Sequence, residues 1–396
     1  MLKLGGKVIR IEVAGGATEV PKGDRTLVVI STNPRLPRSL RERSAYLVRA
    51  GVTEIPSGFG HYLQIGEAAK IDFGELENWQ RVTSLSDDFS YLEDGDIIRL
   101  NSARGEIRVL YRKSSPHNTI MVTEQCQHYC LMCSQPPKEV DDSWLLDEAN
   151  ELIRIMPRGT GELGFSGGEP TLFGERFLET LRLTKALHPG TSIHILSNGR
   201  LFADRRFAAD YAQIRHPDMM VGIPIYSDDP ATHDYVVQAK GAFDETLRGI
   251  LNLKEFGQKV ELRVVIHKLT VDRLEKLADF IARNLLFVDH VALMGLEITG
   301  FTRANLDKLW IDPYEYKDIL SAAVQLLEAY GMNVSVYNHP LCVVNPDVSK
   351  ACRKSISDWK NEYVDACAPC ARKSECGGFF SSGVMYRYSP NIRPFT

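Results

Sequence analysis

The chain has 396 residues, 44% hydrophobic and 25% charged, which is the composition of a globular protein too long for one ordinary core. Its net charge of −4 gives no electrostatic reason to expect nucleic acid or an anionic membrane as the main partner. The N-terminal residues lack an apolar signal core and no segment approaches a membrane span, so we expect a cytoplasmic protein.

Residues 1–115 are predicted to form a separate, strand-rich domain that docks a substrate or partner, or caps the main domain. The predicted strands are residues 8–13, 27–30, 95–100 and 106–111. The last two are separated by a short turn containing glycine and are predicted to form a hairpin. A helix is predicted over residues 37–50.

From residue 119 onward, strand-like and helix-like segments alternate. The predicted strands are residues 119–123, 162–165, 192–196, 220–226, 260–266, 291–296 and 334–337. The helices between them are predicted over residues 144–156, 175–187, 205–214, 243–256, 271–284 and 313–330. Strands joined through helices pair in parallel by right-handed crossovers, so the sequence predicts an α/β fold with a buried parallel sheet.

Three cysteines, Cys126, Cys130 and Cys133, follow the strand at residues 119–123 with the spacing C-x3-C-x2-C. In a reducing compartment, clustered cysteines are more often metal ligands than disulfides. Three thiolates on one loop are one ligand short of closing either a cubane iron–sulfur cluster or a tetrahedral zinc site. The pattern therefore predicts a metal centre with an open position; the alternatives are a zinc ion, with His128 as a candidate fourth ligand, and three unrelated buried cysteines.

The next strand is followed by Gly167, Gly168 and Glu169. Paired glycines allow positive φ angles and let a ligand approach the backbone closely. The carboxylate of Glu169 would then be placed to pair with a cation.

Five more cysteines lie near the C-terminus: Cys342, Cys352, Cys367, Cys370 and Cys376. Five thiols suffice for one four-cysteine centre but not for two. We select Cys342 together with the last three, because Cys342 follows a strand and a proline turn, and leave Cys352 as the spare or alternative ligand. The centre is either an iron–sulfur cluster or a structural zinc ion, since both favour sites rich in thiolate.

The cysteine loop, the Gly-Gly-Glu turn and the repeated βα units together resemble the radical S-adenosylmethionine (SAM) enzymes over residues 118–380. The resemblance implies a partial (β/α)6 TIM-like barrel over residues 116–332. It leaves a β-rich N-terminal domain at residues 1–115 and a cysteine-rich region at residues 333–396. One departure is Met132, where relatives usually have an aromatic residue.

The resemblance also implies the cofactors. Cys126, Cys130 and Cys133 would hold a [4Fe-4S] cluster whose open iron binds SAM. One electron would then cleave SAM to a 5′-deoxyadenosyl radical, which abstracts hydrogen from a substrate.

In the family, residues at the strand ends contact SAM. The residues of this chain so assigned are Gly167, Gly168, Glu169, Ser197, Asn198, Ser227, Lys240 and Arg263. Lys240 and Arg263 are the two candidates for the SAM carboxylate, because a cation makes a charge-assisted contact there. No catalytic acid or base is identified.

The spacing C-x2-C-x5-C of the last three cysteines resembles the SPASM extension, or its shorter Twitch form, of radical SAM peptide-modifying enzymes. That resemblance implies an auxiliary [4Fe-4S] cluster on Cys342, Cys367, Cys370 and Cys376.

Residues 122–125, 130–137 and 355–361 resemble the radical SAM maturases of His-Xaa-Ser repeat peptide systems. This narrower resemblance implies a ribosomally made peptide as substrate and a second radical SAM protein as partner. It also implies a one-electron donor such as flavodoxin or ferredoxin. Two alternatives remain: a radical SAM enzyme acting on a small molecule or nucleotide, and a zinc-stabilised binding protein without catalysis.

Overall fold

The structure is a computed structural model that describes residues 4–8, 10–13, 25–49, 52, 55–66, 81–101, 104–355 and 361–396. It contains two compact units, each with its own packing. The first comprises Leu2–Ile120 and Asp147–Leu163, and the second comprises Met121–Leu146 and Gly164–Thr396. No helix among the described residues is long and apolar enough to cross a membrane.

The first eight strands form one mixed sheet. They are β1 (Gly5–Lys7), β2 (Arg10–Val13), β3 (Arg25–Ser31), β4 (Ser44–Val48), β5 (His61–Ile65), β6 (Arg81–Leu85), β7 (Ile97–Asn101) and β8 (Glu106–Tyr111). Their order is β1-β8-β7-β3-β4-β5-β6-β2, with β3 to β6 parallel and the remaining pairs antiparallel. Only two residues separate β1 from β2, a distance of at most about 11 Å. The sheet therefore curls until its two ends approach each other.

Strand β4 corrects one prediction in this unit. The helix predicted over residues 37–50 is wrong, because only α1 (Arg38–Arg41) is helical and a strand follows it. Ala45 and Leu47 pack in one apolar cluster, and Tyr46 and Val48 pack in a second. A strand buried on both faces is a continuous apolar run, which periodicity alone does not distinguish from a helix. Residue 50 lies outside the described residues.

The other predictions for this unit fare better. The hairpin is confirmed, since β7 and β8, which are consecutive along the chain, pair antiparallel. Strand β3 covers the predicted run at residues 27–30. The strand predicted at residues 8–13 is present as β2, and residue 9 is outside the described residues.

The remaining strands form a second sheet in chain order. They are β9 (His117–Thr123), β10 (Glu162–Gly167), β11 (Ser192–Leu196), β12 (Met219–Pro224), β13 (Lys259–Ile266), β14 (His290–Gly295), β15 (Val334–Tyr337) and β16 (Cys352–Arg353). The strands from β11 to β16 pair in parallel. The predicted α/β class and parallel sheet are confirmed, and strands that follow chain order between helices are the arrangement of a partial TIM-like barrel.

Helices occupy the connections of this sheet. They are α2 (Trp144–Ile155), α3 (Glu175–Leu187), α4 (Arg205–Ala212), α5 (Pro230–Val237), α6 (Ala242–Glu255), α7 (Leu274–Asn284), α8 (Phe301–Ala304), α9 (Leu306–Leu309) and α10 (Lys317–Ala329), with α11 (Ser381–Tyr386) near the C-terminus. Helix α7 shows why they form: Leu274, Leu277, Ala278 and Ile281 recur at helical spacing and are all buried.

Strand β13 shows how the sheet separates its two faces. Val260, Leu262, Val264 and Ile266 alternate on one face and are buried. Glu261, Arg263 and Val265 lie on the other face. The polar members of that second face belong to the candidate site.

Candidate metal and cofactor site

The cysteine loop leaves the C-terminal end of β9 and is held by its own backbone. The Cys133 N–H donates to the Cys130 carbonyl at 2.9 Å, closing a turn between two of the thiols. The His128 N–H donates to Cys126 Sγ at 3.3 Å. The three thiols are free and partly buried. All three therefore lie on the loop that follows β9.

Burial sets the protonation of these thiols. It raises the pKa of Cys126 to about 11 and also raises the pKa values of Cys130 and Cys133. The thiols are therefore neutral near pH 7 when no metal is bound. Metal binding must release their protons, so metal affinity will increase with pH.

A second loop, after β14, holds the far side of the cysteine loop. The Phe301 N–H donates to the Cys133 carbonyl at 2.8 Å, and the Thr302 hydroxyl donates to the Met132 carbonyl at 3.1 Å. Gly300 has φ +52°, and a Cβ there would lie 2.3 Å from the Cys133 carbonyl oxygen. Only glycine fits at that point, because no side chain can approach a backbone oxygen so closely.

The Gly-Gly-Glu turn lies against the segment that leads into Cys126. The Gly168 N–H donates to the Thr123 carbonyl and the Glu169 N–H donates to the Gln125 carbonyl, both at 2.8 Å. A Cβ on Gly167 would lie 2.1 Å from the Thr123 oxygen, and one on Gly168 would lie 1.9 Å from the Gln125 oxygen. The paired glycines are thus required by backbone-to-backbone contact within the protein.

The carboxylate of Glu169 joins two strand ends. Its Oε1 accepts from the Thr171 N–H at 3.0 Å, the Thr171 hydroxyl at 2.6 Å and the Ser197 hydroxyl at 2.8 Å. Its Oε2 accepts from the Asn198 N–H at 2.6 Å. The side chain is fully buried, and burial raises its pKa while these hydrogen bonds oppose the rise. Glu169 therefore fixes Ser197 and Asn198 beside the turn.

Asn198 connects this junction to the metal loop. Its side-chain amide lies 4.0 Å from Cys126 Sγ, within range of a weak hydrogen bond to sulfur. The Gln127 amide approaches Asn198 Oδ1 at 3.5 Å. The structure thus brings Cys126, Glu169, Ser197 and Asn198 into one connected group.

The other three predicted SAM contacts lie outside that group. Ser227 is buried after β12, and its hydroxyl accepts from the Asp229 N–H at 3.1 Å. Lys240 is exposed between α5 and α6, without a hydrogen bond or ion pair to the described residues. Arg263 Nη1 donates to Glu261 Oε1 at 2.6 Å, which supplies the acceptor that an arginine inside an apolar strand requires.

Glu261 is the centre of a polar network on the same face of the sheet. His290 Nδ1 lies 2.7 Å from Glu261 Oε2, and His290 Nε2 lies 2.9 Å from the Ser335 hydroxyl. Burial alone would raise the pKa of Glu261, but hydrogen bonds from His194 and His290 and the charge of Arg263 hold it well below its usual value. The carboxylate is therefore ionised and anchors the Arg263 guanidinium.

Several buried polar atoms around the cysteine loop have no hydrogen-bond partner among the described residues. They are Gln127 Oε1, both ring nitrogens of His128 and Thr299 Oγ1. Nearly all buried polar atoms in folded proteins are satisfied by protein, water or ligand. Buried polar atoms without partners, on or near a loop that carries three thiols, are what a cofactor-binding site would show.

Residues 120–281 match the family model of the Radical SAM superfamily. The matched stretch contains the cysteine loop, the Gly-Gly-Glu turn and the ends of strands β11 to β13. Residues 120–281 form a Radical SAM superfamily domain. The family implies a [4Fe-4S] cluster and SAM as its cofactors.

Individual proteins are similar to parts of the chain. A "Probable GTP 3′,8-cyclase" of Methanocella arvoryzae is 28% identical over 180 residues, covering 44% of this chain and 56% of the cyclase. Streptococcus suis SuiB bound to S-adenosylmethionine is 15% identical with a TM-score of 0.45, covering 56% of this chain and 50% of SuiB. Native anSMEcpe with bound AdoMet is 17% identical with a TM-score of 0.44, covering 56% and 64%. The chain thus spans between half and two thirds of each relative.

Beyond the Radical SAM superfamily domain, four of the C-terminal cysteines line one pocket: Cys342, Cys367, Cys370 and Cys376. Cys342 follows β15 in a short 3-10 turn, and burial raises its pKa. The Leu341 N–H donates to Cys376 Sγ at 3.3 Å. Of the described cysteines, Cys352 is the one in this region that does not line the pocket; it lies in β16, opposite Val336.

Three residues of the Radical SAM superfamily domain were not identified from the sequence. Tyr226 is buried after β12 and packs with Met132, so the methionine fills an apolar position beside the loop. The end of α5 also binds the loop, since the Leu131 N–H donates to the Val236 carbonyl at 2.9 Å. Asp142 is buried and contacts residues that precede Cys126. No periodic signal in the sequence singles out these positions.

Proposed function

We propose that the chain is a radical SAM enzyme. The observation that carries the proposal is that Cys126, the first thiol of the loop, lies beside Asn198, which Glu169 holds, inside the matched domain. Cys126, Cys130 and Cys133 would hold a [4Fe-4S] cluster, with SAM on its open iron.

The chemistry that such a cluster would supply is one-electron cleavage of SAM, which would give a radical able to take hydrogen from a substrate carbon. The chain's own residues position and enclose that chemistry. Gly167 and Gly168 let the turn approach the Cys126 segment closely, and Glu169 holds Ser197 and Asn198 beside it. Phe301 and Thr302, after β14, hold the cysteine loop in place through the carbonyls of Cys133 and Met132.

Arg263 is the better of the two candidates for the SAM carboxylate. Its side chain is 25% exposed, and Glu261 is its only hydrogen-bond partner among the described residues, so further N–H groups are available. The ionised Glu261, held by His290, fixes the guanidinium before a ligand binds. Lys240 is exposed and has no hydrogen bond or ion pair to the described residues, so ordering its side chain on binding would cost more entropy. Ser227 remains proposed for the SAM neighbourhood.

We further propose an auxiliary [4Fe-4S] cluster on Cys342, Cys367, Cys370 and Cys376. Four thiols lining one pocket support it, as does the exclusion of Cys352 from that lining. The group would accept an electron from a product radical or bind substrate. A structural zinc ion on the same thiols is the competing interpretation.

The first candidate substrate is a ribosomally made peptide, supported by the likeness of residues 122–125 and 130–137 to the His-Xaa-Ser maturases. The third stretch of that likeness, residues 355–361, lies mostly outside the described residues. Such an enzyme would take electrons from a flavodoxin or ferredoxin and work with a second radical SAM protein. The second candidate is a nucleotide, favoured by the similarity to a protein named as a GTP cyclase.

The proposal is tested with anaerobically reconstituted protein, dithionite and SAM. The parent should form 5′-deoxyadenosine, and the Cys126→Ala, Cys130→Ala, Cys133→Ala triple variant should form none. Consumption of added GTP would favour the nucleotide candidate. Zinc without sulfide in the reconstituted parent would refute the radical SAM assignment.

A further inference from the structure

Asp142 is a buried carboxylate with no ion pair among the described residues. It is 2% exposed and lies two residues before helix α2. A buried carboxylate without a cation is costly unless hydrogen-bond donors surround it. The identity of those donors therefore indicates what the residue does.

Among the described residues, the donors to its carboxylate come from the three residues that immediately precede Cys126. The Thr123 hydroxyl donates to Oδ1 at 3.0 Å and approaches Oδ2 at 3.2 Å. The Glu124 N–H donates to Oδ2 in a short hydrogen bond, and the Gln125 side-chain amide donates to Oδ1 at 3.1 Å. One carboxylate thus binds three consecutive residues.

The same three residues are held from the opposite side by the Gly-Gly-Glu turn. The N–H groups of Gly168 and Glu169 donate to the carbonyls of Thr123 and Gln125. Neither Gly167 nor Gly168 leaves room for a Cβ. The segment that enters the metal loop is therefore clamped between a carboxylate and a glycine turn. Only the carboxylate side can be loosened without a steric clash.

We propose that Asp142 is a positioning residue for the Cys126 thiol. By fixing residues 123–125, it sets where the first cysteine leaves β9 and so where its sulfur stands relative to Cys130 and Cys133. The inference rests on the proposed function only in taking Cys126 as an iron ligand. The positioning itself is a property of the protein without metal.

Asp141 provides a matched control in the neighbouring position. It is exposed, and its carboxylate accepts from the Ser143 N–H at 3.1 Å and has no hydrogen bond to residues 123–125. Asp142→Asn keeps the shape of the side chain but points an amide N–H₂ at one of the donors. Asp141→Asn makes the same chemical change outside the clamp.

The test measures alkylation of each cysteine in the metal-free full chain by N-ethylmaleimide, resolved by peptide mass spectrometry. In Asp142→Asn, Cys126 should react roughly tenfold faster, because one charge-assisted hydrogen bond no longer holds the segment closed. Cys367, in the other cysteine group, should react at the parental rate in both variants. Asp141→Asn should leave Cys126 at the parental rate as well.

In reconstituted protein, Asp142→Asn should also lose iron to a chelator several-fold faster than Asp141→Asn. An unchanged Cys126 rate in folded Asp142→Asn would overturn the inference. If Asp142→Asn does not fold, Thr123→Val decides: it removes one donor, and a Cys126 rate equal to that of the parent overturns the inference in the same way.

Different results would refute the radical SAM assignment and the positioning role of Asp142. A parent that takes up no iron and sulfide, with Cys126 still faster in Asp142→Asn, refutes the radical SAM assignment and leaves the positioning role intact. A parent that cleaves SAM, with no change in the Cys126 rate, refutes the positioning role alone.

Discussion

Gly300→Ala should destabilise the domain far more than Gly174→Ala. The two glycines share nearly the same backbone conformation, with φ 52° and ψ −128° at Gly300 and φ 52° and ψ −123° at Gly174. A Cβ at Gly174 meets no atom within 4 Å, whereas one at Gly300 would lie 2.3 Å from the Cys133 oxygen and 2.6 Å from the Ser134 oxygen. Because backbone strain is common to both variants, their difference isolates the contact with the cysteine loop.

The size of that difference follows from the contacts. Relieving the clash costs about 1–3 kcal/mol as overpacking. Moving Cys133 away also breaks the hydrogen bond from Phe301, worth about 0.5–1.5 kcal/mol. We therefore expect the free energy of unfolding to fall by about 2–4 kcal/mol more in Gly300→Ala than in Gly174→Ala.

Urea unfolding of the metal-free proteins, monitored by circular dichroism, measures this difference. Iron content after reconstitution reports whether the cysteine loop still binds metal. Gly300→Ala should retain less iron than Gly174→Ala. Equal unfolding free energies would refute the close packing of Gly300 on Cys133.

Three more predictions concern individual side chains. Glu169→Gln should lower the unfolding free energy by about 1–3 kcal/mol, because an amide cannot accept from all the donors around it, including the Asn198 N–H; a parental urea midpoint would contradict this. Arg263→Met should weaken SAM binding, measured by calorimetry on reconstituted protein, by at least about tenfold, and Lys240→Met should change it less; the reverse order would contradict the assignment. Burial lowers the pKa of His267 to about 4, so the folded state resists a proton that the unfolded chain accepts below about pH 6.5. His267 alone should therefore contribute a fall in stability of about 2 kcal/mol between pH 7.5 and pH 5, and His267→Phe should remove that contribution; an unchanged pH slope would contradict it.

The parallel sheet and the cysteine loop could be predicted because local signals and tertiary structure agree there. Helix α7 has buried apolar residues at helical spacing, and β13 alternates buried apolar residues with the residues of its second face. The thiols at 126, 130 and 133 follow a strand end because β9 ends at Thr123, shortly before Cys126. Structure can be predicted from sequence where the local pattern and the overall fold favour the same conformation.

The features that the sequence did not predict are those that depend on contacts between residues far apart in the chain. Residues 44–48 form a strand because β3 and β5 lie on either side of it, which no local pattern reports. Arg263 has its partner two residues earlier in the same strand, but the ionised state of that partner depends on His290 from β14. Asp142 acts on residues about twenty positions before it. Spatial neighbours of this kind are fixed only by the fold.

Iron and sulfide content of the anaerobically reconstituted chain tests the central claim most directly. The account predicts about eight irons in the parent, falling to about four in the Cys126→Ala, Cys130→Ala, Cys133→Ala variant and unchanged in Cys352→Ala. The triple variant should also lose any change that SAM makes in the electron paramagnetic resonance signal of the reduced protein. Zinc without sulfide, or iron that the triple variant retains in full, would contradict the account.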